Sequence, residues 1–203
     1  MSGMAGAARR ARVERKTGET QIQLVLDIDG DGSHRIATGI GFLDHMLVLL
    51  ARHSLWNLEI DAKGDLHVDD HHTTEDVGIA LGQALRESLG TKEGICRYGH
   101  CTLPMDETLV TAAVDLSGRA AVVYQAPIAS PKIGSFDSEL VEHFWTSFAH
   151  QAACNLHVLL HHGSNSHHIA EAVFKGLARS LRMACQIDPR QSGIPSSKGR
   201  LVD

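Results

Sequence analysis

Thiols, aromatic rings and long apolar runs are all scarce in this sequence. Its four cysteines, Cys96, Cys101, Cys154 and Cys185, form no CxxC pair, which excludes a zinc ribbon or a thioredoxin-type redox motif. No apolar run approaches the ~18 residues of a membrane-spanning helix. The first dozen residues are small or basic (Ala7, Ala8, Arg9, Arg10, Arg12) and lack the apolar core of a secretory signal. They are also too short for a transit peptide, so they read as a tail. These absences together imply a cytoplasmic protein with reduced, structural cysteines. Excess positive charge is missing too: the formal net charge is -5, which argues against general nucleic-acid affinity. Phe, Trp and Tyr contribute only 5, 2 and 2 residues, whereas histidine contributes 14. Imidazole is the unusual resource here. The balance of 43% hydrophobic and 21% charged residues is that of a soluble globular chain with a sizeable core.

Taken in order, Thr20 to Asp27 alternates Ile22, Leu24 and Leu26 with polar residues and predicts a half-buried strand. Asp29-Gly30-Asp31-Gly32 turns the chain, and Ser33 to Thr38 returns as a strand. From Gly41 a helix carries Phe42, Met46, Leu49 and Leu50, with Asp44 and His45 in its first turn. Leu55 to Ile60 reads as a strand and Gly64-Asp65 as a turn. A helix then buries Val77, Leu81 and Leu85 and stops at Gly90. The second half predicts strands at Cys101 to Met105, Thr108 to Asp115 and Ala120 to Gln125, and a loop marked by Pro127 and Pro131. A helix at Glu139 to Ala153 and a strand at Leu156 to Leu160 follow. Ser166 then serves as N-cap for a helix that buries Val173, Leu177 and Leu181. Pro189 ends the regular structure, and a Gly/Ser/Pro-rich tail closes the chain.

One pentad occurs twice, as His71-His72-Thr73-Thr74-Glu75 and as His167-His168-Ile169-Ala170-Glu171. At the start of a helix the first His and the Glu lie one turn apart on a shared face. The second His lies about 100° further round. Each pentad can therefore offer a His–carboxylate pair to one metal ion and a lone imidazole to another. A single HHxxE also reads as a surface His pair, but this one belongs to a longer internal repeat. Glu19-Thr20 matches Glu107-Thr108, Asp27 to Gly30 matches Asp115 to Gly118, and Asp44-His45 matches Glu142-His143. Val77, Leu81, Leu85 and Arg86 match Val173, Leu177, Leu181 and Arg182. Each half reads strands, helix, strand, helix, which gives an α+β chain of two pseudo-symmetric repeats, each a mainly antiparallel sheet covered on one face by two helices. The expected division is a tail over 1–11, repeats over 12–92 and 93–188, and a C-terminal tail over 189–203. Pseudo-symmetry exchanges His45 with His143, His71 with His167, His72 with His168 and Glu75 with Glu171. It supports the His/Glu pairs but leaves open which ion the other four histidines join.

The segments FLDHM (Phe42 to Met46), DDHHTTED (Asp69 to Asp76), LVEHF (Leu140 to Phe144) and NSHHIAEAVFK (Asn165 to Lys175) resemble the imidazoleglycerol-phosphate dehydratases. CRYG from Cys96, DLSGR from Asp115 and IPSSKG from Ile194 extend the resemblance over nearly the whole chain after about residue 12. Gly163-Ser164 and Gly176 depart from the pattern but touch no expected ligand. The resemblance implies a ribosomal protein S5 domain 2-like fold and two Mn²⁺ ions per active site. His45, His72, His167 and Glu171 would hold the first ion, and His71, Glu75, His143 and His168 the second. It also implies a 24-copy homo-oligomer with sites shared between subunits, and neither a nucleic-acid nor a membrane partner. Glu19 matches the family's non-ligand acid/base carboxylate, and Arg97, Arg119, Lys175, Ser197 and Lys198 its phosphate contacts. Asp106 and Glu107 are weaker carboxylate candidates, Glu107 being the repeat mate of Glu19. His53 resembles a substrate-side residue.

The implied reaction dehydrates D-erythro-imidazole glycerol phosphate to imidazole acetol phosphate in histidine biosynthesis. The departing proton sits on a carbon bearing a hydroxyl group, so a base alone would fail. A metal-bound imidazole is more easily deprotonated, and the imidazolate can expel the neighbouring hydroxide. A carboxylate then takes the acidified C–H proton, and the enol collapses to the ketone. Two other readings use the same residues. A dinuclear phosphoester hydrolase would attack with metal-bound hydroxide. A carboxylate-bundle storage protein would need ExxH motifs on four long helices, without intervening strands.

Overall fold

The computed structural model describes residues 8–201. The expected tail over residues 1–11 falls mostly outside that range, but its last residues do not. Strand β1 runs Arg10–Lys16 and pairs antiparallel with β2, Thr20–Asp27. The first half continues with β3 (His34–Ala37), α1 (Gly41–Ser54), β4 (Asn57–Gly64) and α2 (His71–Leu89). The second half repeats the order as β5 (Tyr98–Met105), β6 (Thr108–Asp115), β7 (Ala121–Gln125), α3 (Leu140–Ala152), β10 (Asn155–His162) and α4 (Ser166–Cys185). It inserts a short hairpin of two-residue strands, β8 (Lys132–Ile133) with β9 (Phe136–Asp137), where the sequence suggested only a loop.

The two four-stranded sheets have the same topology, β1-β2-β4-β3 and β5-β6-β10-β7. In each, one pair is parallel, β3 with β4 and β7 with β10, because an intervening helix carries the chain back over the sheet. Alternation sets which face is buried. Ile22, Leu24 and Leu26 on β2 and Val110, Ala112 and Val114 on β6 face inward, while Gln21 and Gln23 face out. Each sheet is covered by its own two helices, and the helix layers meet crosswise. α1 packs on α4 and α2 on α3, so both helix contacts join the two halves over one continuous core. α2 and α3 approach so closely that a Cβ on Gly82 would lie 2.4 Å from the Phe148 carbonyl oxygen.

Some local expectations shift. β4 begins at Asn57 rather than Leu55, because Leu55 caps α1 in the left-handed region with φ 60°. Its repeat mate Ala153 caps α3 the same way with φ 50°. The N-cap of α4 is Asn165, not Ser166: the Asn165 side chain accepts from the His167 and His168 amides, and Ser166 is the first helical residue. Among the described residues, no helix is long and apolar enough to cross a membrane.

Candidate metal centre

The crosswise helix contacts decide which histidines meet. α1 against α4 brings His45 to His167 and Glu171. α2 against α3 brings His143 to His71 and Glu75. Within each trio the donor atoms all lie within 4.8 Å of one another. In the first trio, Glu171 Oε2 lies 3.2 Å from His167 Nε2 and 3.6 Å from His45 Nε2. In the second, Glu75 Oε1 lies 3.6 Å from His143 Nε2, and the His71 and His143 rings are 4.4 Å apart. Donors at about 2.0–2.2 Å from one ion stand roughly 3–4.3 Å from each other, so small side-chain adjustments let each trio close on a cation. His143 Nε2 is buried and has no hydrogen-bond partner. A buried imidazole nitrogen costs free energy without a partner, and a cation would supply one.

The carboxylates of the two trios differ in setting. Burial alone would raise the Glu171 carboxyl. The adjoining Lys175 ammonium, with His45 and His167, outweighs that and holds its pKa below the usual carboxylate range. Glu75 is more exposed and has no such lysine.

His72 and His168 do not join either trio within the chain. Both point off the helix starts and present opposite ring nitrogens to different carboxylates. His72 Nδ1 is 3.0 Å from Asp65 Oδ2, and its Nε2 is 3.7 Å from Glu19 Oε1. His168 Nδ1 is 2.7 Å from Glu107 Oε2, and its Nε2 is 3.7 Å from Asp106 Oδ2. Donating Nδ1–H to Asp65 raises the His72 pKa, and donating to Glu107 raises the His168 pKa. His168, with the Asn165 and Ser164 amides, holds the Glu107 carboxyl far below its ordinary range. Glu19 and Glu107 are repeat mates in sequence, but in space Glu19 corresponds to Asp106 and Glu107 to Asp65.

The cations separate into two places. Lys175 sits one turn beyond Glu171, against Met105 Sδ at 3.6 Å. Arg97 grips Asp115 with two bonds of 2.7 and 3.1 Å, at the far end of β6 from Glu107 and His168. Eight extended residues of β6 put that end roughly 25 Å away. Arg119 is exposed just past the same end. Arg97 also donates to the Pro195 carbonyl at 2.9 Å, which tethers the tail two residues before the exposed Ser197 and Lys198. His53 lies at the end of α1, where burial, with Lys175 and Arg179 nearby, lowers its pKa.

Two mirrored trios of imidazole and carboxylate on crossed helices define a duplicated α+β protein with paired candidate metal sites. A sequence profile described as imidazoleglycerol-phosphate dehydratase matches residues 38–181. The chain is 63% identical over 200 residues to the imidazoleglycerol-phosphate dehydratase of Rhodopirellula baltica, an alignment covering 98% of this chain and 99% of that one. It is 58% identical to that of Granulibacter bethesdensis, with 95% and 99% covered. The crystal structure of the Staphylococcus aureus enzyme superposes with a TM-score of 0.81 at 40% identity, covering 88% of this chain and 99% of that chain. The chain belongs to the imidazoleglycerol-phosphate dehydratase family, and so it is a hydro-lyase of histidine biosynthesis. The phosphoester-hydrolase reading falls with that membership, and the carboxylate-bundle reading falls with the two sheets.

Proposed function

We propose that the chain is a cytoplasmic, dinuclear Mn²⁺ enzyme that dehydrates D-erythro-imidazole glycerol phosphate to imidazole acetol phosphate at sites shared between copies of a 24-subunit assembly. The observation that carries this reading is that each trio offers three of the four donors the family resemblance implies, while His72 and His168 of the same chain join neither trio and keep Nε2 out of hydrogen-bond reach of the nearest carboxylates, on Glu19 and Asp106. His72 of a neighbouring copy completes His45, His167 and Glu171. His168 of a neighbouring copy completes His71, Glu75 and His143. Three imidazoles and one carboxylate accept Mn²⁺, as they do Fe, Co or Zn, and leave open positions on an octahedral ion, with Mn²⁺ chosen on the family resemblance. When bound, the ions supply Lewis-acid charge that makes the substrate imidazole more acidic.

The remaining steps belong to side chains. Glu19 travels with His72, so docking His72 beside a neighbour's trio also delivers an exposed carboxylate there, ready to take the C–H proton. Lys175 stands at that trio to meet the phosphate as a point charge. Arg97, Arg119, Ser197 and Lys198 lie a strand length from the metal ligands of their own chain, a distance that also favours sites built from several copies. Lys198, on a tethered tail, closes over the phosphate.

Anomalous diffraction at the manganese edge, with a substrate analogue bound, tests the reading. Two peaks per chain are expected, each bonded by one trio and by His72 or His168 of another copy. A single peak, or peaks bonded within one chain only, would overturn it.

A further inference from the structure

His72 and His168 can serve as ligands only if the outward nitrogen carries a lone pair and the ring is held still. A neutral imidazole has one N–H, and the hydrogen bond made by the other nitrogen sets which nitrogen bears it. In both halves a carboxylate oxygen sits at Nδ1 within hydrogen-bond distance, 3.0 Å for Asp65 and 2.7 Å for Glu107. The carboxylates nearest Nε2, on Glu19 and Asp106, stay at 3.7 Å, too far for a hydrogen bond.

Each Nδ1 acceptor is itself built in. Asp65 is 17% exposed, and its second oxygen, Oδ1, is buried without a partner, so the carboxylate has His72 as its single side-chain partner. The turn that carries it presses on the first turn of α2: a Cβ on Gly64 would lie 1.9 Å from Thr73 Oγ1. Glu107 is fixed from its other oxygen, Oε1, which accepts from the Ser164 and Asn165 amides at 3.1 and 2.8 Å in the loop leading into α4. Asp106, in the left-handed region with φ 49°, makes the tight turn that sets Glu107 against His168. The two halves thus reach one arrangement from residues that are not repeat mates, Asp65 after β4 and Glu107 before β6. A feature arrived at twice from different places in the repeat answers a need of the site, not an inheritance from the duplication.

We propose that Asp65 and Glu107 are positioning residues, each accepting the Nδ1–H of its histidine so that Nε2 of His72 and of His168 keeps its lone pair and faces an ion carried by a neighbouring copy, an assignment that rests on the two-ion reading above. Asp65→Asn and Glu107→Gln keep the side-chain shape but can turn an NH₂ toward Nδ1. The ring proton then moves to Nε2 and blocks the lone pair.

The test is Mn²⁺ binding to the assembled protein, measured by competition with a chelator of known affinity. Each single variant should lower affinity about 10- to 100-fold for one ion of the two per chain, and the double variant for both. Asp65→Asn introduced into His72→Ala should add no further loss, which a merely structural role could not achieve. The melting temperature of the metal-free protein separates lost positioning from lost folding. If Asp65→Asn lowers it, the competition is read on Glu107→Gln, whose amide oxygen still serves the Ser164 and Asn165 N–H groups. Wild-type affinity for both ions in both variants, or a loss that adds in full to that of His72→Ala, overturns the assignment while leaving the two-ion reading standing. Fewer than two Mn²⁺ per wild-type chain overturns both.

Discussion

Glu75 and Glu171 hold equivalent places in the two halves, one turn past His71 and His167. Glu75 is 38% exposed and faces His143, whereas Glu171 is 10% exposed and also grips Lys175. In the first half Ile79 stands where the second half has Lys175, and Asp31 where it has Arg119. Arg97 does have a mate, Arg9, and the two are held alike, Arg9 by Asp29 and the Cys185 carbonyl, Arg97 by Asp115 and the Pro195 carbonyl. The imidazoles and carboxylates of the two trios have kept the symmetry of the duplication, and Lys175 and Arg119 have not. An asymmetric substrate, imidazole at one end and phosphate at the other, calls for that division. On the proposed two-ion reading, like ions need like ligand sets, while the phosphate needs cations on one side only.

Breaking the symmetric part should have the largest effect. His71→Ala and His167→Ala each remove one donor from one trio. Each should lose an ion per chain, weaken the assembly and abolish activity, as read by metal analysis with light scattering. A variant that keeps full metal content and wild-type mass would contradict the mirrored, shared sites.

Glu19 probes the point at which repeat mates diverge. It is outside both trios, so Glu19→Gln should keep metals, assembly and substrate affinity within roughly tenfold, about 1.4 kcal/mol. Turnover should fall by about 10² or more, the usual scale for a lost general acid or base. Near-normal turnover with intact metals would shift attention to Asp106, its counterpart in space.

Lys198 belongs to the asymmetric part. Lys198→Ala should weaken substrate binding well beyond any change in Mn²⁺ content, measured on one preparation. Falling metal content with unchanged substrate affinity would move Lys198 to a different role.

The smallest effect concerns stability and is confined to the first half. Asp76 is buried, accepts from Arg15 at 2.8 Å and from Thr20 at 2.5 Å, and so ties β1 and β2 to α2. Its mate in the second half is Ala172. Asp76→Ala leaves the part-exposed Arg15 and the buried Thr20 without their acceptor and should cost about 1.5–3 kcal/mol, the scale of hydrogen bonds to a charged group. Denaturant unfolding checks it. A cost below about 1 kcal/mol, the scale of a surface pair, would mean the network is solvent-screened.

Much of this frame is legible in the sequence because periodicity and repetition are strong signals. The two HHxxE helices, the alternation on β2 and β6 and the mates His45/His143 all fall where pattern places them. β1 escaped because it shows only Ala11 and Val13 to the core between charged residues, as an edge strand does. The β8–β9 hairpin is too short for any period to register. Asn165 and Ser166 are both good caps, and only backbone geometry separates them. Asp65 read simply as a turn residue, although the need of His72 for an Nδ1 partner was a signal that could have found it. Glu107 was misplaced by the repeat itself: sequence aligns it with Glu19, while a tight turn at Asp106 rotates it to the other side of its histidine.

Mixing two dead variants tests the shared site most directly. His45→Ala spoils a trio but leaves His72 to donate, and His72→Ala does the reverse. Each alone should be inactive. Co-expressed in equal amounts, they should regain about one quarter of wild-type activity, the share of first-ion sites in which random assortment joins an intact trio to an intact His72 in a symmetric oligomer. Mixed assemblies, verified by co-purification of differently tagged copies, that stay as inactive as either parent would show that His45 and His72 act within one chain, and the account of two half-sites completed by neighbouring copies would be wrong.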